Sequence, residues 1–487
     1  MQKKLQLPCN LKYGYLMVMV CIVNSIFSYK ALVGDFSLEL NNGKASSAII
    51  VMSWLGVITL FCAIYTWRKK HNEIISPYII FFFTLYVYCY GQSIPWILGL
   101  GDFYKDLVLR ETQNFIVQAQ AYTLPFLSLF HLFALLFSNE RKKLHSVTYK
   151  SISVDNNALF ITGLLFLVIS TPAFLINLFT TINLVINHGY SGIYHYRPSY
   201  SKFIEILLYI GKFFESSLIC ILISKRENRK IRNFIIAVFL MNIVVSLYIG
   251  ERNGAVVSVL ALLCVWHYII KPINKKEAFI LGIIAYLFVG ILNAVAVVRG
   301  EAGHGIADII IVLFSKGFNI IGDFIGEVGW SLTSVGYTIQ FVPSIEDFRY
   351  GSTYLYGLST LIPNLGLWEV HPATVNAQLS EWLQNMLGIN YGPGYTMIAE
   401  TYINFGWFGI AIAAVEGAAI GWLLSRVSGK TARSKPAMTA FIIIFLLINL
   451  QLLVRSSFVV AFRDFSYILG AIFIVYTLCR NHYRKKY

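Results

Sequence analysis

The sequence predicts an all-α membrane protein of about twelve transmembrane helices, with one large helical loop on the side away from the cytoplasm. Three observations carry that prediction. First, 57% of the 487 residues are hydrophobic and only 13% are charged, with a mean hydropathy of +0.65. Soluble cores of this length cannot enclose so much apolar surface, whereas lipid accepts it as the solvent of outward faces. Second, apolar runs near spanning length, about 17–25 residues, fall at 13–34, 46–67, 77–98, 115–137, 158–187, 204–224, 234–250, 254–270, 278–299, 396–424, 436–454 and 458–479. Third, basic residues occupy every second turn. Lys3, Lys4 and Lys12 precede the first run; Arg68–Lys70, Arg141–Lys150, Lys225–Arg232, Lys271–Lys276, Arg426–Lys435 and Arg480–Lys486 follow in alternation. The positive-inside rule then places both termini and these turns in the cytoplasm. The net charge of +15 is thereby read as topology with some attraction to anionic lipid, and nucleic acid is excluded as a partner.

Taken in order, the first run has the charged and apolar regions of a signal peptide. It is long and lacks a small-residue cleavage site, so it reads as a retained span. The chain divides into spans one to nine (1–299), an outer loop (300–395), and spans ten to twelve with a cytoplasmic tail (396–487). The loop is too polar to cross a bilayer and too apolar for disorder. Ile306–Phe318 and Ile320–Phe341 read as amphipathic helices, with Asp308, Lys316, Asp323 and Glu327 interrupting an aliphatic face. Turn-formers follow: Pro343, Gly351, Gly357, Pro363-Asn364 and Gly392-Pro393-Gly394. Loops of this size are usually functional, and this one reads as a lid. The seven cysteines lie in spans or at their cytoplasmic ends, with no CxxC, so neither a disulfide framework nor a thiolate metal site is expected.

Two spans carry polar residues. In span six, Lys212 and Glu215 are three apart and are expected to form an internal ion pair. Span ten opens with Glu400 and Asn404 one turn apart, on one face at the outer surface. Gly406, Gly409, Ala413, Gly417 and Gly421 offer small residues for close helix approach. This helix is expected to pack tightly while presenting a carboxylate and an amide to the lid.

The chemistry is expected at the outer surface. Its cations at span ends are mostly arginines: Arg110, Arg197, Arg252, Arg299, Arg349, Arg455 and Arg463. An arginine fork grips phosphate bidentately and keeps its charge, so Arg252, Arg299, Arg455 and Arg463 are candidates for holding a diphosphate at headgroup level. The alternative is snorkelling, or pairing of Arg252 with Glu251, Arg463 with Asp464 and Arg299 with Glu301. The loop His188–Lys202 is rich in tyrosine. There Tyr194, Tyr196 and Arg197, together with Arg349 and Asn404, suit sugar faces and edges, against the plainer reading of an interfacial aromatic belt. An acceptor hydroxyl needs a base, for which His371, Glu400 and Glu327 are the candidates. No HExxH, DxD or glycine-rich nucleotide loop occurs, so no metal or cofactor is expected.

Three stretches now resemble the Wzy-type polysaccharide polymerases of the O-antigen polymerase and ligase group. They are GERNGAVVSVL at 250–260; a lid pattern of Gly326-Glu327, Ser331, Val342-Pro343, Tyr350-Gly351 and Ile362-Pro363; and GPGYTMIAETYINFGWFG at 392–409. The hydropathy plan is similar over essentially the whole chain, the local motifs over about a quarter of it. The resemblance implies a GT-C-like, metal-independent glycosyltransferase in the bacterial inner membrane, moving a growing glycan from one undecaprenyl diphosphate onto the next lipid-linked repeat unit at the outer face. Undecaprenyl-diphosphate-linked glycans and membrane lipid are then its partners, and a chain-length regulator is a partner the residues themselves do not specify. By the same resemblance Arg252 and Arg299 fall to the diphosphate and His371 to the acceptor. The arginine-x10-glycine motif of some polymerases is absent after Arg197, Arg299 and Arg349. A ligase of the same architecture is the nearest alternative. A lipid-linked oligosaccharide flippase or transporter is another, but it calls for deep charges, and the mid-span charges here are few: Lys212, Glu215 and Glu416.

Overall fold

The computed structural model describes residues 9–34, 45–73, 75–99, 111–138, 149–189, 193, 196, 200–249, 252–298, 310–311, 319–364, 367–389, 391–426 and 436–486. Among them there is helix and no strand. Among the described residues eight helices are long and apolar enough to cross a membrane, and three shorter apolar helices join them. Each of the twelve apolar runs coincides with helix: α1 (Cys9–Val33), α2 (Ser47–His71), α3 (Pro77–Tyr90) with α4 (Ser93–Leu98), α5 (Gln113–Phe137), α6 (Tyr149–His188), α7 (Lys202–Tyr209) with α8 (Phe213–Ser224), α9 (Arg229–Tyr248), α10 (Arg252–Val265), α11 (Lys275–Val298), α17 (Met397–Phe405) with α18 (Gly409–Ser425), α19 (Ala437–Leu452) and α20 (Phe458–Lys486). The loop supplies α12 (Asn319–Val328), α13 (Leu332–Phe341), α14 (Ser352–Ser359), α15 (Pro372–Ala377) and α16 (Leu379–Leu387). This is a multi-pass membrane protein.

The helices group into two compact units. One comprises 1–143, 318–427 and 450–463; the other comprises 144–317, 428–449 and 464–487. In the first, α5 is the buried centre, surrounded by α1, α2 and α18. The glycines of α18 explain that contact. A Cβ on Gly417 would sit 2.1 Å from the Phe130 carbonyl oxygen, and one on Gly421 would sit 2.5 Å from Ala134 Cα, so α18 approaches α5 backbone to backbone. His131 on α5 is fully buried. Its Nδ1 is 2.9 Å from Tyr78 Oη and its Nε2 is 2.9 Å from Thr66 Oγ1. One polar side chain thus ties α2, α3 and α5 with both nitrogens used, as burial demands.

In the second unit α8 packs along α6. The sixth run is broken by a 3-10 turn at Ile210–Lys212, where Gly211 lies against the backbone of Ala173 and Phe174. The expected Lys212–Glu215 pair does not form. Lys212 Nζ instead meets Asp464 Oδ2 at 2.8 Å, and Tyr209 Oη donates to Asp464 Oδ1 at 2.8 Å. Glu215 accepts from Asn242 Nδ2 (2.8 Å) and Ser258 Oγ (2.6 Å). Three-residue spacing permits a pair, but the 3-10 break separates the two residues between successive elements and other helices offer each a partner.

Candidate functional site

The loop's second expected helix, 320–341, is two helices joined by a 3-10 turn at Gly329–Ser331. The first expected helix, 306–318, lies almost wholly outside the described residues. The described loop residues from 319 onward belong to the same compact unit as the first spans and α17–α18. Gln92, just past α3, donates from its side-chain amide to the Gly326 carbonyl, fastening α12 to the end of the third span. Tyr337 on α13 donates to Glu111 ahead of α5; burial first, and that carboxylate second, push its phenol well above the usual range.

The motif at 392–409 builds the centre of the site. Thr396 caps α17, its Oγ1 accepting from the Ala399 N–H at 3.2 Å. The cap directs Glu400 and Asn404 along one helix face, and both are fully buried. Asn404 Nδ2 donates to Thr353 Oγ1 (2.8 Å), Thr353 donates to Glu400 Oε1 (2.9 Å), and the Phe458 N–H donates to Glu400 Oε2 (2.6 Å). Three backbone N–H groups from the loop reach α17: Arg349 to the Ile403 carbonyl (2.9 Å), Tyr350 to the Asn404 carbonyl (3.0 Å) and Gly351 to Asn404 Oδ1 (2.9 Å). Tyr350 and Gly351 both have positive φ, 46° and 83°. Left-handed backbone is costly at a tyrosine, and Asn404 is what holds the turn there. Sequence reasoning placed Glu400 and Asn404 correctly towards the loop but missed Thr353, on which the network turns; a lone threonine near a glycine carries no signal of that role.

Arg349 is absorbed by the loop itself. Its guanidinium donates to the Asn376 carbonyl (2.7 Å), pairs with Glu346 (3.4 Å) and lies 5.4 Å from the Trp382 ring. His371 caps α15. Its Nδ1 accepts from the Ala373 N–H at 3.1 Å and its Nε2 meets the Ile362 carbonyl at 3.1 Å. A neutral imidazole has one lone pair, and in this arrangement that pair is engaged. Glu327 is half-buried on α12, and Arg463 is half-buried on α20.

Arg455 is arranged differently. Residues 394–397 run beside the turn after α19, with the Tyr395 N–H on the Arg455 carbonyl (3.4 Å) and the Met397 N–H on the Leu453 carbonyl (3.1 Å). Gly394, at φ 76°, lets the Arg455 side chain lie across it; a Cβ there would be 3.3 Å from Nε. The guanidinium is 5.8 Å from the Tyr88 ring, and among the described residues it donates no hydrogen bond. Of the expected site residues, Glu400, Asn404, Arg349 and Arg455 are thus brought to one junction. Tyr196 is exposed, its ring stacked 4.1 Å from that of His188. Tyr194, Arg197, Arg299 and the side chain of Arg252 lie outside the described residues. No cluster of three potential metal ligands occurs among the described residues.

The family described as O-antigen polysaccharide polymerase Wzy matches residues 15–486. The chain belongs to that family. It is also similar to Protein CapE of Staphylococcus aureus, at 24% identity over 413 residues, which is 83% of this chain and 84% of that one. No solved structure matches it. The family is one of glycosyltransferase-like polysaccharide polymerases that act in membranes on lipid-linked oligosaccharide repeat units. The junction just described lies within the matched residues, and the 392–409 motif earns its residues physically: a glycine under an arginine, a threonine cap, a buried carboxylate and an amide that locks the loop.

Proposed function

We propose that this chain polymerises undecaprenyl-diphosphate-linked repeat units into a surface polysaccharide at the outer face of the cytoplasmic membrane, with both termini cytoplasmic and without a metal. The observation that carries the reading is Arg455: a permanent cation at the junction of loop, α17 and α20, half-buried beside Tyr88, its guanidinium donating no hydrogen bond among the described residues. Undecaprenyl diphosphate leaves as an anion, and a fixed guanidinium stabilises that developing charge without reorganising. Arg463 from α20, with Arg252 and Arg299 on the ground of resemblance, completes the diphosphate side of the proposal. Two lipid-anchored substrates confined to the membrane plane gain much of the remaining acceleration from proximity.

His371 and Glu400 are each held by structural hydrogen bonds, which favours them as supports of the loop over proton acceptors. Glu327, half-buried on α12, is the third candidate base and is tested beside them. Asn404 and Arg349 act as fasteners of the loop rather than direct sugar ligands, and Tyr194, Tyr196 and Arg197 remain the proposed glycan contacts.

The test is deletion of the gene in a polysaccharide-producing host followed by complementation. Deletion should leave single repeat units on the lipid carrier. Arg455→Ala and Glu327→Gln should fail to restore polymer while remaining in the membrane at normal level. Polymer of normal length from Arg455→Ala would remove the clamp. Long polymer accumulating on the lipid carrier after deletion would identify a ligase. Activity of the purified protein unchanged by excess EDTA is expected; its loss would reinstate a metal.

A further inference from the structure

We infer that the second unit holds an anionic diacylphospholipid, one acyl chain in a cleft among α8, α9, α10 and α11 and the headgroup phosphate on Arg226 and Arg232. The cleft has a volume of about 330 Å³ and is walled by Leu222, Ile236, Leu262, Trp266, Ile270 and Leu281. Several methylenes of an acyl chain fit a volume of that order, and the walls offer such a chain dispersion contacts. The end of α10 shapes it. There the helix widens into a π turn at Trp266–Ile270, with the Lys271 N–H reaching back to the Trp266 carbonyl at 2.8 Å. Such widened turns are uncommon and gather at functional sites.

An apolar cleft alone names no occupant; the charges at its end do. Arg232 lies one turn before Ile236 on α9, and its Cζ is 5.8 Å from the ring of Trp266. Arg226 lies in the turn after α8, four residues beyond Leu222. Arg226 Nη1 and Arg232 Nε are both buried and have no hydrogen-bond partner among the described residues. Buried, unsatisfied guanidinium donors are costly, and a phosphodiester supplies what both lack. The acids nearby do not. Glu277 lines the cleft but is held by Lys271 Nζ (2.6 Å) and the Asn274 N–H (3.0 Å), and Glu227 is exposed. Lys225 sits 4.5 Å from the Phe160 ring, leaving the phosphate to the two arginines. On the orientation proposed above the lipid belongs to the cytoplasmic leaflet; the site itself rests on neither the reaction nor the outer loop.

The experiment is tryptophan quenching by brominated lipid, with the full chain in nanodiscs. Phosphatidylglycerol brominated on its acyl chain should quench more strongly than equally brominated phosphatidylcholine. The difference should vanish in Trp266→Phe, which isolates this residue from the other tryptophans. Arg226→Gln/Arg232→Gln should lose the preference, about fivefold for each arginine. Arg226→Lys/Arg232→Lys should keep most of it, which separates lost charge from lost fold. Equal quenching by the two lipids, a preference unchanged in the glutamine pair, or full competition by millimolar inorganic phosphate would each overturn the inference, the last because it would indicate an ion site without a chain.

Discussion

In the first unit Glu400 is held by neutral donors, a threonine hydroxyl and a backbone N–H. In the second, Asp464 is held by a cation, Lys212, and by a tyrosine. Both carboxylates sit among apolar helices, yet their tasks differ. The Glu400 network joins a loop to a span through short side chains and main chain, so its geometry is fully determined and every donor has an acceptor. The Lys212–Asp464 pair joins span to span through a long side chain that is 43% exposed, so it tolerates displacement. Buried acids in this protein therefore grade from positioning devices near the motif to plain helix ties away from it.

The sharpest way to break that comparison is Glu400→Ala. It strands the Thr353 hydroxyl and the Phe458 N–H, at about 2–5 kcal/mol of stability together, and should appear as a large fall in the thermal unfolding midpoint in detergent with loss of polymer. Glu400→Gln keeps one acceptor and should fall between wild type and alanine in both readouts. Abolished polymerisation at wild-type stability in Glu400→Gln would instead make Glu400 a catalytic base.

Gly417→Val is next, because its side chain meets the Phe130 carbonyl where α18 touches α5. A cost of about 1–3 kcal/mol is expected, read by the same thermal assay. Gly282→Ala, with open space around the new methyl, should leave the midpoint unchanged or slightly raised.

Lys212→Met should cost about 1–2 kcal/mol, less than a fully buried pair because the lysine is partly exposed. Lys212→Met/Asp464→Leu should recover most of that, and a double variant as unstable as the sum of its parts would show that the two residues do not interact. The smallest effect is expected from His371→Ala: about 1 kcal/mol from the lost cap, slower proteolysis in wild type than in the variant at 362–373, and shortened rather than absent polymer. Absent polymer with unchanged proteolysis would return His371 to the chemistry.

Some of this was legible in the chain and some was not, for local reasons in each case. The glycines from Gly409 to Gly421 announced a close helix contact because small residues on one face serve little else in a membrane helix. That Gly417 and Gly421 meet Phe130 and Ala134 required the fold, and so did the break at Gly406, which ends α17 at φ 55° against the Phe348 ring instead of joining that contact. Glu400 and Asn404 could be assigned a common face from their spacing. Thr353, Glu346 and Asn376 could not be found, since their importance comes from what stands opposite them. The Lys212–Glu215 expectation failed because spacing reports only what is possible along one helix, and a 3-10 turn with Asp464, Asn242 and Ser258 nearby changed what was favourable. His371 and Arg349 looked like chemistry because of their residue types and are engaged in holding the loop.

The sequence by itself determined that the chain is helical along its apolar runs and crosses a membrane several times, since a spanning segment must satisfy its own backbone within itself. It also determined the family, whose motifs are short stretches of contiguous chain. Only the tertiary structure decided which polar side chains are already engaged. Hydrogen-bond partners in a helical membrane protein come from elements tens to hundreds of residues apart, and a group's availability for chemistry depends on those partners rather than on its own identity. That is why Arg349 and Arg455, alike in type as sequence, part company in the folded chain: one is satisfied by the loop that carries it, and the other faces Tyr88 and donates no hydrogen bond among the described residues.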